Sequence, residues 1–341
     1  MVALETATSG LTELEYKSLI LATGARERFL PFTGWTLPNV MGAGGLQALA
    51  KSGLPVESKR VVVAGSGPLL LAVAAYLKRH GARVALIAEQ ADSSNVHRFA
   101  SKLAANPGKL IQAIGLRTAL VGVPYRMGCW PIAAHGSEKL ESVTLRSGSR
   151  TWTESCDYLA CGFGLVPNTE LAALLGCRIG DRGVEVDEYQ QTSVKGLFAA
   201  GEVTGIGGLD IALAEGEIAG FAAAGQPEEA RRRFAARDSH RKFAIALETA
   251  FALREELKSL PGSDTLVCRC EDVSFAHVKE FSNWREAKLH TRCGMGPCQG
   301  RVCGSAMEFL LGWKPDSVRP PVFPAIVGTV AKSGAAGREP M

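Results

Sequence analysis

Short β-branched runs that end in glycine alternate along the chain with longer runs of helix-forming residues. Lys59-Arg-Val-Val-Val-Ala-Gly65-Ser-Gly67-Pro-Leu-Leu-Leu-Ala-Val-Ala-Ala-Tyr-Leu-Lys reads as a buried strand, a glycine turn and a helix, because valines suit a pleated backbone and a Leu/Ala run suits a helical one. Gly81 then closes the helix and Arg83 to Ala88 forms a second strand, completing a βαβ unit. Ser18-Leu-Ile-Leu-Ala-Thr-Gly24 and Gly196-Leu-Phe-Ala-Ala-Gly201-Glu202 are two further buried strands ending in glycine turns, and both belong to one interrupted domain. Gly205, Gly207 and Gly208 lead into an apolar helix over Leu209 to Ala223, whose N-terminus would point at a cofactor. The Ala/Arg/Glu-rich stretch from Gln226 to Leu257 predicts helix and linker, and Pro261-Gly262-Ser263 breaks it. Val273 to Phe281 and Val302 to Leu311 are helix-like, and Lys314 to Pro324 reads as a Pro-rich extended arm.

Composition narrows the class. With 341 residues, 46% hydrophobic and 21% charged, the chain is folded and long enough for two or three domains. Its longest apolar run, Pro68 to Leu77, falls far short of the ~20 residues of a membrane span. A net charge of +4 gives no reason to expect nucleic acid, and Arg231-Arg232-Arg233 reads as a solvated helix face. Nine cysteines without a signal-peptide pattern predict a reducing, cytoplasmic setting, with any membrane association arising through a complex. Cys129, Cys156, Cys161 and Cys177 are scattered and read as small core residues.

Two motifs carry candidate chemistry. In the βαβ unit Gly65 permits the tight turn, Ser66 and Gly67 bring backbone N–H groups to a diphosphate, and Glu89 closes the second strand where an acid would accept from a ribose hydroxyl. An adenine nucleotide is the expected ligand. Leu70 stands where the fingerprint has its third glycine and would crowd helix against strand, so NADH is expected to be a poor reductant. The second motif is cysteine. Cys268 and Cys270 are separated by one residue, Cys298 and Cys303 by four, and such pairs can clamp the irons of a 2Fe-2S cluster. Gly294, Gly296, Gly300 and Gly304 let the backbone wrap the sulfurs. Cys293 is the rival ligand and is expected to be spare. Four thiolates also suit a structural zinc, and a disulfide is a third reading. The six histidines show no ligand or dyad spacing, and no residue stands out as a catalytic base.

Leu21-Ala-Thr-Gly-Ala-Arg-Glu-Arg, Pro31-Phe-Thr-Gly-Trp-Thr-Leu-Pro, Ala64-Gly-Ser-Gly-Pro-Leu-Leu-Leu, Gly162-Phe-Gly-Leu-Val-Pro-Asn-Thr-Glu-Leu, Cys268-Arg-Cys-Glu-Asp-Val and Arg292-Cys-Gly-Met-Gly-Pro-Cys-Gln-Gly-Arg together resemble the FAD-dependent pyridine nucleotide-disulfide oxidoreductase superfamily. The resemblance is narrower to the branch holding the larger electron-transfer subunits of opine oxidase, hydrogen cyanide synthase and proline or hydroxyproline dehydrogenase complexes. It implies an α/β fold with two Rossmann-like dinucleotide-binding domains, N-terminally truncated because the first βαβ unit is not among these residues, plus a small, mainly helical BFD-like 2Fe-2S domain. The expected divisions are 1–55 and 151–225 for the FAD-binding domain, 56–150 for the nucleotide domain, 226–262 for a helical linker, 263–313 for the cluster and 314–341 for the tail. It further implies that Thr23, Gly24, Gly201 and Glu202 approach FAD. The implied role is passing electrons within an amino-acid or amine dehydrogenase complex, beside a smaller amino-acid-oxidase-like flavoprotein subunit and a small ferredoxin-like subunit. An NAD(P)H-dependent ferredoxin or nitrite-type reductase and a non-catalytic nucleotide-binding assembly subunit are the alternatives.

Overall fold

The computed structural model describes residues 2–6, 10–103, 106–314 and 318–335. Contacts divide the chain into two units, one of Arg26–Val166 with Ile245–Pro315 and the other of Met1–Ala25, Pro167–Ala244 and Asp316–Met341.

The first unit is built on a five-stranded parallel sheet in the order Val40–Gly42, Tyr158–Phe163, Arg60–Ser66, Arg83–Glu89, Tyr125–Met127. Residues 61–66 of its central strand are buried without a break, as a parallel strand covered on both faces requires. The period of two sorts them. Val61, Val63 and Ile87 pack under the helices Ala43–Lys51 and Leu69–Arg79, against Leu46, Leu70, Val73 and Leu77. Val62, Ala64, Leu86 and Ala88 face the other way, against Trp130, Val143 and Leu145 of an antiparallel meander, Trp130–His135, Ser142–Ser147 and Arg150–Ser155, which the sequence pattern did not reveal. The edge strand Val40–Gly42 and its neighbour Tyr158–Phe163 belong to the nucleotide-type sheet. The contact-based division of the chain falls at 25/26 and 166/167.

Leu70, expected to crowd helix against strand, is buried in the core between them with Leu46, Val73 and Leu77. The close approach in this region is between strands: a Cβ on Gly65 would overlap the carbonyl oxygen of Gly162 on the neighbouring strand.

The cysteine-bearing module closes the first unit. Leu266–Cys268 pairs with Val273–Ser274, and the helices Phe275–Val278, Trp284–Thr291 and Cys303–Leu311 follow. Val267, Val278, Trp284, Ala287, Met307 and Leu310 form its core, with Cys268, Cys293 and Cys303 inside it. So small a core rarely suffices alone, and metal ligation is one of the usual supplements. The Trp35 indole N–H donates to the Leu266 carbonyl at 2.6 Å, tying the module to the rest of the unit.

In the second unit Leu19–Leu21 pairs in parallel with Leu197–Ala199, and Leu209–Ala223 forms a helix over the expected residues. Arg231, Arg232 and Arg233 reach Glu228, Glu229 and Glu217 at 3.2, 2.8 and 2.6 Å on a solvated face, pairs that add little stability. Of the Pro-rich arm, residues 315–317 lie outside the described ones, residues 318–324 form no helix or strand, and a helix follows over Val327–Ala335. Among the described residues no helix is long and apolar enough to cross a membrane.

Candidate functional site

All nine cysteines are free thiols. Cys268, Cys293 and Cys303 are buried with their sulfurs within 4.8 Å of one another. Cys270 is exposed and Cys298 half-buried, 3.8 Å apart sulfur to sulfur. Local backbone explains the convergence. Arg292 ends the preceding helix in the left-handed conformation, at φ 66°, and the turn carries Cys293 inward. Gly294 and Gly300 then pass under the Trp284 ring, where a Cβ on Gly294 would lie 2.7 Å from Trp284 Cζ2. Gly296 packs on Cys270 so closely that a Cβ on it would overlap Cys270 Cβ. The loop that carries both Cys293 and Cys298 thus lies against Cys270.

Cys293, expected to be spare, lies together with Cys268 and Cys303. The step from Cys293 to Cys298 equals that from Cys298 to Cys303, so spacing cannot choose between them. The Cys293 and Cys303 thiols both meet the Cys268 sulfur, which draws the Cys268 thiol well below its usual range and pushes the other two up. By contrast, Cys129, Cys156 and Cys161 are packed among apolar neighbours, and burial raises each of their thiols, the first two to about 12. Those three are core residues, and Cys177 is also buried.

The βαβ turn is arranged differently from expectation. Glu89 is wholly buried, and its carboxylate accepts from the Gly67 N–H at 2.7 Å and the Ala91 N–H at 2.9 Å. It does not face outward to a ribose. Burial outweighs these two bonds and raises its carboxyl to about 7. The Gly67 amide that was expected to meet a diphosphate is thereby engaged within the protein.

In the second unit the two parallel strands end side by side, so Thr23-Gly24 and Gly201-Glu202 share one carboxyl edge, where ligands of open α/β sheets bind. Gly24 has φ +65° and open space on its Cβ side. Asn168 braces the first turn, donating its amide to the Thr23 carbonyl at 2.9 Å while its own backbone carbonyl accepts from the Thr23 hydroxyl at 2.8 Å. Glu202 is half-buried and raised by burial, although the Gly208 N–H bonds to it. Sequence reasoning missed Glu215. Its buried carboxylate accepts from the Gly201 N–H at 3.0 Å, the Thr204 hydroxyl at 2.8 Å and the Arg241 guanidinium at 3.4 Å. It is one of three acids in that helix, with Asp210 and Glu217, and nothing in the sequence singled it out. A cavity of about 450 Å³ opens beside it, lined by Thr204, Ile206 and Arg182 among others.

The family model for pyridine nucleotide-disulphide oxidoreductases matches residues 1–226. This chain belongs to that family. It is 34% identical over 325 residues to hydrogen cyanide synthase subunit HcnB of Pseudomonas aeruginosa, covering 86% of this chain and 69% of that protein. It is 31% identical to an opine oxidase subunit of Rhizobium meliloti, covering 94% of this chain and 77% of that one. Among solved structures, L-proline dehydrogenase from P. horikoshii superimposes with a TM-score of 0.57 at 19% identity, over 92% of this chain and 58% of that chain. That likeness concerns the fold, a Rossmann-like α/β flavoprotein architecture. Membership makes this family member an oxidoreductase by class, and its grouped thiols are able to hold a metal.

Proposed function

We propose that this chain is the electron-transfer subunit of a heteromeric, flavin-dependent dehydrogenase that oxidises a C–N bond in an amino acid, opine or related amine. The carrying observation is the convergence of five thiols, two of them at the surface, in a member of this oxidoreductase family. The relatives named as subunits of hydrogen cyanide synthase and opine oxidase support a divided complex. In it a smaller amino-acid-oxidase-like flavoprotein subunit meets the substrate, a ferredoxin-like subunit is a further partner, and this chain relays electrons in the cytoplasm. A bound flavin would supply two-electron acceptance with one-electron release, and a 2Fe-2S cluster the carriage of single electrons.

The residues fit both groups. Thr23, Gly24, Gly201 and Glu202, with the N-terminus of Leu209–Ala223, would hold the flavin, Glu215 fixing the Gly201 turn and Asn168 the Thr23 turn. Cys268, Cys270 and Cys298 would ligate the cluster with Cys293 as the fourth thiolate. Cys303, expected in that place, begins a helix whose backbone is fixed, whereas Cys293 rides the glycine loop lying against Cys270. Thiolates on a loop can adjust to iron, and soft sulfur donors suit an iron–sulfur cluster.

The test is anaerobic purification of the chain with its partner subunit. About two irons per chain and a rhombic signal on reduction are expected, by cluster type. Iron should be lost in Cys293→Ser and kept in Cys303→Ser. Zinc in place of iron, or the reverse pattern of loss, would refute the assignment.

A further inference from the structure

The nucleotide-type turn already has an occupant, and it is the chain itself. Phe251–Arg254 runs across Gly65–Gly67 from far along the sequence. The Ser66 hydroxyl donates to the Phe251 carbonyl at 2.8 Å. The Gln90 amide donates to Ser66 Oγ at 2.9 Å and to the Ala252 carbonyl at 3.1 Å, and accepts from the Arg254 N–H at 3.2 Å. Arg254 donates back to the Gln90 carbonyl at 3.3 Å, pairs with Asp92 at 3.3 Å and lies 4.5 Å above the Trp130 ring. The Phe251 ring meets Phe99 edge-on, with centroids 5.4 Å apart, and comes within 3.9 Å of where a side chain on Gly67 would begin.

These contacts reproduce what a diphosphate would find. Such turns present N–H and O–H donors to anionic oxygens. Here the carbonyl oxygens of Phe251 and Ala252 accept from Ser66 and Gln90, the Glu89 carboxylate accepts from Gly67, and an aromatic ring fills the space in front of the glycine. The Ser66 hydroxyl and the Gly67 N–H are both engaged within the protein.

We propose that Phe251–Arg254 is a built-in plug standing in for the dinucleotide, so that this unit neither takes up nor exchanges NAD(P)H or ADP. Its second effect is mechanical: it fastens to the sheet the segment that leads, through buried Leu257 and Leu260, to the cysteine module at Ser263.

Calorimetric titration of the full chain with NADH and with ADP tests this. The native protein should show no saturable binding up to ~1 mM, the weak end of specific affinity. The Gln90→Ala/Phe251→Ala variant, with its fold checked by circular dichroism, should gain at least ~10-fold in affinity, since a plug that competes with ligand lowers apparent affinity by the fraction of sites it closes. Saturable micromolar binding by the native protein would overturn the proposal, as would a folded variant that binds no better. Should the double variant not fold, amide exchange on the native protein decides. Exchange at residues 251–254 unaffected by millimolar ADP supports the plug, and faster exchange there with new protection at residues 65–67 overturns it.

Discussion

Glu89 couples the stability of the nucleotide-type sheet to pH in a direction opposite to most carboxylates. Buried at the end of its strand, it has its carboxyl raised from the ordinary 4.5 to about 7. The folded state therefore holds a proton that the unfolded chain releases, and stability is full below about 4.5 and is lost as the pH rises through about 7. At 1.36 kcal/mol per unit of pKa, integration between pH 5 and pH 8 gives a loss of about 2–3 kcal/mol from this one group. Glu89→Gln keeps the shape and an acceptor for one of the two N–H groups but cannot titrate. Urea unfolding followed by tryptophan fluorescence, at pH steps from 5 to 8, measures both proteins under reducing conditions. The native protein should lose stability relative to the variant by about 2–3 kcal/mol across that range, on top of a constant offset for the amide facing a backbone donor. Parallel curves would show that Glu89 is ionised throughout and that its two backbone bonds outweigh burial.

Two other substitutions probe the cofactor turns. Glu215→Ala leaves the Gly201 N–H and Thr204 hydroxyl without their acceptor inside the protein and should cost about 2–4 kcal/mol with loss of flavin retention; unchanged flavin content in the purified complex would show that the Gly201 turn needs no such brace. Trp284→Ala removes the ring packed against Gly294 and Gly300 and should cost about 3–5 kcal/mol and release iron, read from the visible absorption of the complex; a variant that keeps its iron spectrum would show that the thiol loop holds its own shape.

Which runs become strands and helices is written locally, in β-branched residues, Leu/Ala stretches and glycine stops. The Arg60–Ser66 strand, the Leu209–Ala223 helix and the solvated Arg231–Arg233 face were legible for that reason, as was the presence of a thiol site between Cys268 and Cys303. What each motif faces emerges only once the chain has folded. Cys293 and Cys303 stand at equal steps from Cys298, and a left-handed turn at Arg292, which no spacing rule encodes, brings Cys293 among the thiols. Glu89 sits where an outward-facing acid was expected, yet folding turns it onto its own glycine amide. Gly65 is required because the Gly162 carbonyl, on a strand distant in sequence, lies where its side chain would begin. The Phe251 plug reaches Ser66 across 185 residues of chain. Periodicity reports which side of an element is apolar, but the identity of the group that covers that side is set by long-range packing.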